Sequence, residues 1–320
     1  MTLLISKAEV ESLLNLEQAM TLTLEVFREQ AAGGVVALPP RHIPVPKGAL
    51  RIVSGALIHS QRMGVRVGSA EQLAGGGHVA VLFDSEDGKL LSVMDFPFGT
   101  LRTGATIGVA TKYFARAEAH VIGMIGTGRN ALSLLEAACH VRPIESIRVY
   151  SRSSERRTAF AEKAQAALGK SVEPVASNEA VARGAEIVYV ATDSLTPVLY
   201  ADWLSPGTFV AGLGRPSEID PSVYLSSDLV VVGHKGHEQG YHGIGRFPHH
   251  LLELVQKGRL EWNSVHEMCD VVVGRVPGRT SEKQIITFKE SGGGFGDIAF
   301  ANWLYGQARE KGLGQEWNIG

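Results

Sequence analysis

Cysteine is nearly absent: Cys139 and Cys269 stand alone among 320 residues, with no C-x-x-C. Two isolated thiols give neither a disulfide framework nor a zinc knuckle, and a reduced, cytoplasmic protein is the expectation. No apolar run approaches the roughly 18 residues of a membrane span, and Lys7, Glu9 and Glu11 stand where a signal peptide would be apolar. No membrane partner is expected. Excess charge of one sign is also missing: 31 Lys+Arg face 33 Asp+Glu, a formal net charge of -2. That balance argues against nucleic acid as the ligand. With 20% charged and 44% hydrophobic residues the chain is not disordered, and 320 residues supply core for two domains. A Ser-His-Asp hydrolase would need a G-x-S-x-G elbow, which the chain lacks. Glycine, by contrast, is abundant at 37 residues. Much of it follows apolar runs, where a backbone that approaches a ligand closely needs it.

Ser6 with Glu9, and Asn15 with Gln18, are capping boxes that open two helices; the second carries Leu16, Ala19, Met20, Thr23 and Phe27 on one face and stops near Gly33. Strand-like runs follow around Ile52, Val65, residues 79–83 and residues 91–94, with a hairpin turn at Asp87-Gly88. The first hundred residues read as helices against a mostly antiparallel sheet. After a helix over 103–115, short apolar strands at 120–126, 147–151, 187–192, 209–212 and 229–233 alternate with helices at 130–140, 154–168 and 178–183. That alternation predicts a parallel sheet covered on both faces, a doubly wound Rossmann domain in an α/β protein. A last helix over 296–311 presents Ile298, Ala301, Leu304 and Ala308 on one face and is expected to return to the first domain. The domains are therefore 1–115 with 296–320, an α+β unit, and 116–295, the Rossmann unit.

Residues 120–128 read HVIGMIGTG, an apolar strand running into Gly126-Thr127-Gly128-Arg129-Asn130-Ala131, which is G-x-G-x-x-A before a helix. The first glycine permits the tight turn and the second lets a diphosphate reach backbone N–H groups. Ala131 lets helix and strand pack closely. The second strand ends at Ser151-Arg152-Ser153, where NAD-specific sites carry an acid for the ribose 2′-hydroxyl. Ser151 and Arg152 instead suit a 2′-phosphate, so NADP(H) is preferred, with NAD(H) possible.

The runs LRTGA (101–105), GMIGTG (123–128), VATDS (190–194) with Pro197, GRVPGR (274–279) and FKESGGGFGD (288–297) resemble, in order and spacing, the ornithine cyclodeaminase/mu-crystallin family. The resemblance covers nearly the whole chain. It implies a homodimer whose N-terminal domain, completed by the last helix, binds substrate and makes the dimer interface. Thr192, Asp193, Ser194 and Gly212 join the glycine loop as cofactor-binding residues. The family's substrate-carboxylate arginine resembles Arg41 and its second arginine resembles Arg102. The lysine of its G-V-K segment falls on Arg66, and the cyclodeaminase aspartate falls on Gly214. A guanidinium is a fixed anion clamp and a poor acid or base, and without an acid at 214 hydrolytic deamination loses a group to handle water or amine. Reduction of a small cyclic imine or 2-oxo or imino acid, or oxidation of the matching amino acid, is the reading that remains. The partner is thus a small molecule. Asp297, His42 and Lys112 are the candidate proton donors, Asp297 being also a suitable acid for the head of the last helix. The alternatives are a cyclodeaminase-type ammonia-lyase using bound NAD and a non-catalytic NADPH-dependent binding protein.

His234, His237, Glu238, His242, His249 and His250 crowd one stretch, but the spacing is not H-E-x-x-H and no metal is expected. His234 or His237 at the cofactor edge is the alternative use of that stretch.

Overall fold

The computed structural model describes residues 1–70, 77–240, 248–290 and 293–318. It forms two compact units, one of Met1–Arg102, Gly236–Ile244 and Gly292–Gly320, the other of Thr103–Lys235 and Gly245–Ser291.

In the first unit both capping boxes close. Glu9 accepts from the N–H and Oγ of Ser6 at 2.8 and 2.7 Å, heading Lys7–Leu13, and Asn15 exchanges bonds with Gln18 at 3.0 and 3.2 Å, heading Leu16–Ala31. The sheet runs Gln315–Trp317, Thr2–Ile5, Leu90–Asp95, His78–Asp84, Arg62–Ala70, Gly48–Leu57, Val35–Ala37, and Arg41–Val45 also pairs with Gly48–Leu57. Among the described residues only the pair of Thr2–Ile5 with Leu90–Asp95 is parallel in this sheet. Directly paired residues share a face and successive ones alternate, so register sorts the side chains into two sets. Val53, Leu57, Ala80 and Leu82 are buried on the face that the helix Gly294–Glu310 covers with Ile298, Ala301, Leu304 and Ala308. The last helix thus returns to the first unit as its apolar spacing requires. The opposite face leaves Val36, Ile43, Val45, Leu50, Met63 and Val79 exposed.

The second unit is an eight-stranded parallel sheet, ordered Ser171–Pro174, Ser146–Tyr150, Val121–Ile125, Ile187–Val190, Phe209–Gly212, Ile286–Lys289, Leu229–Val232, Val265–Glu267. Its central strands are buried at every residue, which is why they lack a period of two. The five expected strands are present to within one or two residues. Ser171–Pro174, Val265–Glu267 and Ile286–Lys289 are additional, and the last enters the middle of the sheet. The helix expected from 103 begins at Gly99, so Arg102 lies in its first turn. Among the described residues no helix is long and apolar enough to cross a membrane.

Candidate active site

The glycine loop leaves Val121–Ile125 and enters the helix Ala131–Val141. Strand order reverses at this point: Ser146–Tyr150 lies on one side of Val121–Ile125 and Ile187–Val190 on the other. The crevice beyond the carboxyl ends at such a switch is where open parallel sheets take ligands. Gly126 has φ +102, and a Cβ on it would run into the Ala191 carbonyl, so the position admits only glycine. A Cβ on Gly128 would meet nothing, leaving its backbone open to a bulky anion. Asn130 makes no side-chain cap bond at the head of the following helix. Thr127 and Asn130 are half-buried, Arg129 is exposed, and Ala131 is buried. These features fit the diphosphate of a dinucleotide, which would take the N–H groups that no side chain occupies.

At the end of the next strand no carboxylate belongs to Ser151, Arg152 or Ser153. Ser153 caps the helix Ser154–Leu168 by accepting from the Arg156 N–H at 3.2 Å. Arg152 is exposed and meets Asp193, also exposed, at 3.3 Å. Arg157 donates to the Ser151 carbonyl at 3.0 Å and lies over the Tyr150 ring, framing this end of the strand with cations.

On the other side of the switch stand Thr192, Ser194 and Gly212. The Ser194 N–H donates to Thr192 Oγ1 at 3.2 Å, and the Leu213 N–H continues the ladder to the Val190 carbonyl at 2.9 Å. Beneath them lies a carboxylate that sequence reasoning missed. Glu218 is fully buried; it accepts from the Thr192 N–H at 2.9 Å, Thr192 Oγ1 at 3.0 Å and the Gly214 N–H at 2.5 Å. Lys289, also buried, donates to the Gly214 carbonyl at 3.0 Å and to that of Glu290 at 3.3 Å. Burial pushes the Glu218 carboxyl up to about 7, against the pull of Lys289 and the Thr192 and Gly214 donors.

The first unit holds the second constellation. Arg66, on Arg62–Ala70, donates from Nε to Asp297 Oδ2 at 2.8 Å, and Arg102 Nε lies 2.7 Å from Asp297 Oδ1. Asp297 sits in the first turn of Gly294–Glu310, its side chain 1% exposed. The Arg66 guanidinium lies 5.0 Å over the Phe96 ring, and its Nη1 is 3.4 Å from His78 Nδ1. The Asp297 carboxylate thus carries one guanidinium on each oxygen. A buried carboxylate with a cation on each oxygen has the geometry of an anchor rather than of an acid presenting a proton.

Arg41 is not brought to this cluster. It pairs with Ile52, which pairs with Val67, whereas Arg66 pairs with Val53, so the pleat sets Arg41 on the opposite face, exposed. His42, one residue on, falls on the Arg66 face and is half-buried. Lys112 is an exposed residue of the second unit. His237, Glu238 and His249 are buried, and His250 Nδ1 lies 2.9 Å from the Ile219 carbonyl; His242 lies outside the described residues. Among the described residues the grouping with metal-ligand proximity is Glu267, Cys269 and Asp270. Burial and the two neighbouring acids push the Cys269 thiol up to about 12.

A model of the ornithine cyclodeaminase/mu-crystallin family matches residues 1–312. A Bacillus cereus protein named Delta(1)-pyrroline-2-carboxylate reductase is 34% identical over 244 residues, 74% of this chain and 73% of its own length. The Thermococcus litoralis Delta(1)-pyrroline-2-carboxylate reductase, solved with NADH and L-proline, superposes with a TM-score of 0.88 at 27% identity, covering 99% of this chain and 100% of its own. An archaeal alanine dehydrogenase, a dimer with bound NAD, superposes with a TM-score of 0.86 at 28% identity over 100% of this chain and 99% of its own.

Proposed function

Since the chain belongs to the ornithine cyclodeaminase/mu-crystallin family, we propose that it is an NAD(P)-dependent oxidoreductase that reduces a small cyclic imine or a 2-oxo or imino acid, or oxidises the matching amino acid. The observation that carries this reading is the pairing of two features in one chain. One is a glycine loop at the switch point of a parallel sheet; the other is a buried Arg66–Asp297–Arg102 cluster that fixes two planar guanidiniums on one carboxylate. The first unit is then the substrate-binding and dimerisation domain and the second the dinucleotide-binding domain.

The bound nicotinamide supplies or accepts the hydride. The chain's own residues bind and orient. Gly126, Thr127, Gly128, Arg129, Asn130 and Ala131 hold the diphosphate, and Thr192, Asp193, Ser194 and Gly212 line the crevice beside it. Ser151, Arg152 and Ser153 receive the ribose of the adenosine half, where the exposed Arg152 guanidinium favours NADP(H) once a 2′-phosphate takes the place of Asp193 beside it, with NAD(H) accepted. Arg66 and Arg102 clamp the substrate carboxylate while Asp297 fixes both guanidiniums. His42 delivers the proton that the substrate nitrogen or oxygen takes up, because it is the candidate donor on the Arg66 face. The lyase reading is disfavoured by Gly214, where no side chain offers an acid, and Glu218 below it is occupied by backbone donors.

The dimer forms through the exposed apolar sheet face of Val36, Ile43, Val45, Leu50, Met63 and Val79, a patch that water alone would cover at a cost. The experiment for the enzymatic reading is a panel of cyclic imines and 2-oxo acids with ammonia, each offered with NADPH. Cofactor oxidation dependent on one of them is expected, and tight NADPH binding with no oxidation by any would refute it.

A further inference from the structure

We infer that Glu218, working with Lys289, is the positioning residue for the nicotinamide half of the cofactor: together they clamp the two loops that leave neighbouring strands at Thr192 and Gly214. The inference rests on the dinucleotide-binding reading and adds to it a residue that no motif marks.

The direction of the cofactor follows from the sheet. The diphosphate belongs to the loop after Val121–Ile125, and the ribose of the adenosine half belongs to the end of Ser146–Tyr150. The other half must extend the opposite way, across Ile187–Val190 and Phe209–Gly212, whose outgoing loops begin at Ala191 and Leu213. Glu218 binds both loops at once, since one carboxylate oxygen takes the N–H and hydroxyl of Thr192 and the other takes the N–H of Gly214. Lys289, from the next strand over, takes the carbonyl of that same Gly214. Both backbone polar groups of Gly214 are therefore held by buried charges of opposite sign. A Cβ at 214 would drive into the Glu218 carboxylate and the Thr192 carbonyl, so the clamp and a glycine at this position require each other. The turn carrying Glu218 is itself stitched to the first loop, with Ser217 Oγ donating to the Ser194 carbonyl at 3.0 Å. Three strand ends are thereby fixed relative to one another at the rim of the crevice. A carboxylate buried at this cost, with every contact spent on loop backbone or the Thr192 hydroxyl, is an organiser of the rim and touches no substrate.

The test uses the full chain with Glu218→Gln, which keeps shape but trades an acceptor for a donor facing Thr192 or Gly214, and Glu218→Gln with Lys289→Met, which leaves no buried charge unpaired. Dissociation constants are measured by calorimetry for NADPH and for 2′-phospho-ADP-ribose, which lacks the nicotinamide. Loss of NADPH affinity by about tenfold in both variants, with the fragment changed less than about twofold, is expected from losing one or two charged hydrogen bonds at that end. Equal losses for both ligands would mean general damage to the fold, and unchanged NADPH affinity would mean an inert buried pair; either overturns the inference. If the single variant does not fold, the double variant decides. Wild-type chain that binds neither ligand would instead overturn the dinucleotide reading on which the inference stands.

Discussion

Arg66 donates from Nε to Asp297 at 2.8 Å, joining the middle of a strand to the first turn of the last helix across 231 residues of sequence. The same carboxylate holds Arg102 at 2.7 Å. Removing its charge takes a shared carboxylate partner from two mostly buried guanidiniums. Asp297→Asn is therefore expected to cost about 3–5 kcal/mol of stability, read as a lower urea midpoint, and to depress kcat/KM together with it. Arg66→Lys and Arg102→Lys, which keep charge but lose the planar fork, are expected to keep most of the stability and to lower kcat/KM by about tenfold to a hundredfold. Turnover unchanged by either would remove the carboxylate clamp.

Cofactor choice is assigned to the exposed end of the second Rossmann strand. Arg152→Asp places there the acid that reads a ribose 2′-hydroxyl and repels a 2′-phosphate. The ratio of NADH to NADPH dissociation constants is expected to fall by at least about tenfold. Wild-type constants that are equal for the two cofactors would contradict the preference.

The fold was legible where a local rule acts alone. Both capping boxes, the hairpin at Asp87-Gly88, the glycine loop and five parallel strands follow from spacing within a few residues. Ile286–Lys289 was not legible as a strand: it has four residues, no alternation, and a lysine at its end that is tolerable only beside Glu218 and the Gly214 carbonyl. Glu218 itself lies in a turn with no motif, and its role depends on the Thr192 and Gly214 backbone, which only the parallel register of Ile187–Val190 and Phe209–Gly212 brings together. Arg41 and Arg66 were grouped by resemblance, and the register of Arg41–Val45 on Gly48–Leu57 sets them on opposite faces.

Stability should carry the signature of the raised Glu218 carboxyl. Its value when folded, about 7, lies above the ordinary 4.5, so between those values the folded chain keeps a proton that the unfolded chain has released. The stability that goes with this proton is fully present below about pH 4.5 and is lost as the pH rises through about 7. Wild type is expected to lose up to about 3 kcal/mol more than Glu218→Gln over that interval, measured by urea unfolding at each pH. Parallel curves for the two proteins would contradict the assignment.

The uncovered sheet face predicts its own response. Val79→Lys, at a side chain 40% exposed, puts a charge in the middle of the apolar surface while leaving the covered face untouched. Light scattering after size exclusion is expected to show a dimer for wild type and a monomer for the variant, with near-native secondary structure. A dimer that survives the charge would place the interface elsewhere.

Net hydride exchange between a nicotinamide and an imino or oxo acid is checked by counting both products of one reaction. Purified chain is given NADPH and the cyclic imine, or the 2-oxo acid with ammonia, that drives cofactor oxidation in the panel, and loss of the nicotinamide absorbance is compared with amino acid formed, beside a parallel reaction with ornithine. The predicted result is equal amounts of NADPH oxidised and amino acid formed, with no ammonia from ornithine. Ammonia released from ornithine at constant nicotinamide absorbance would contradict it.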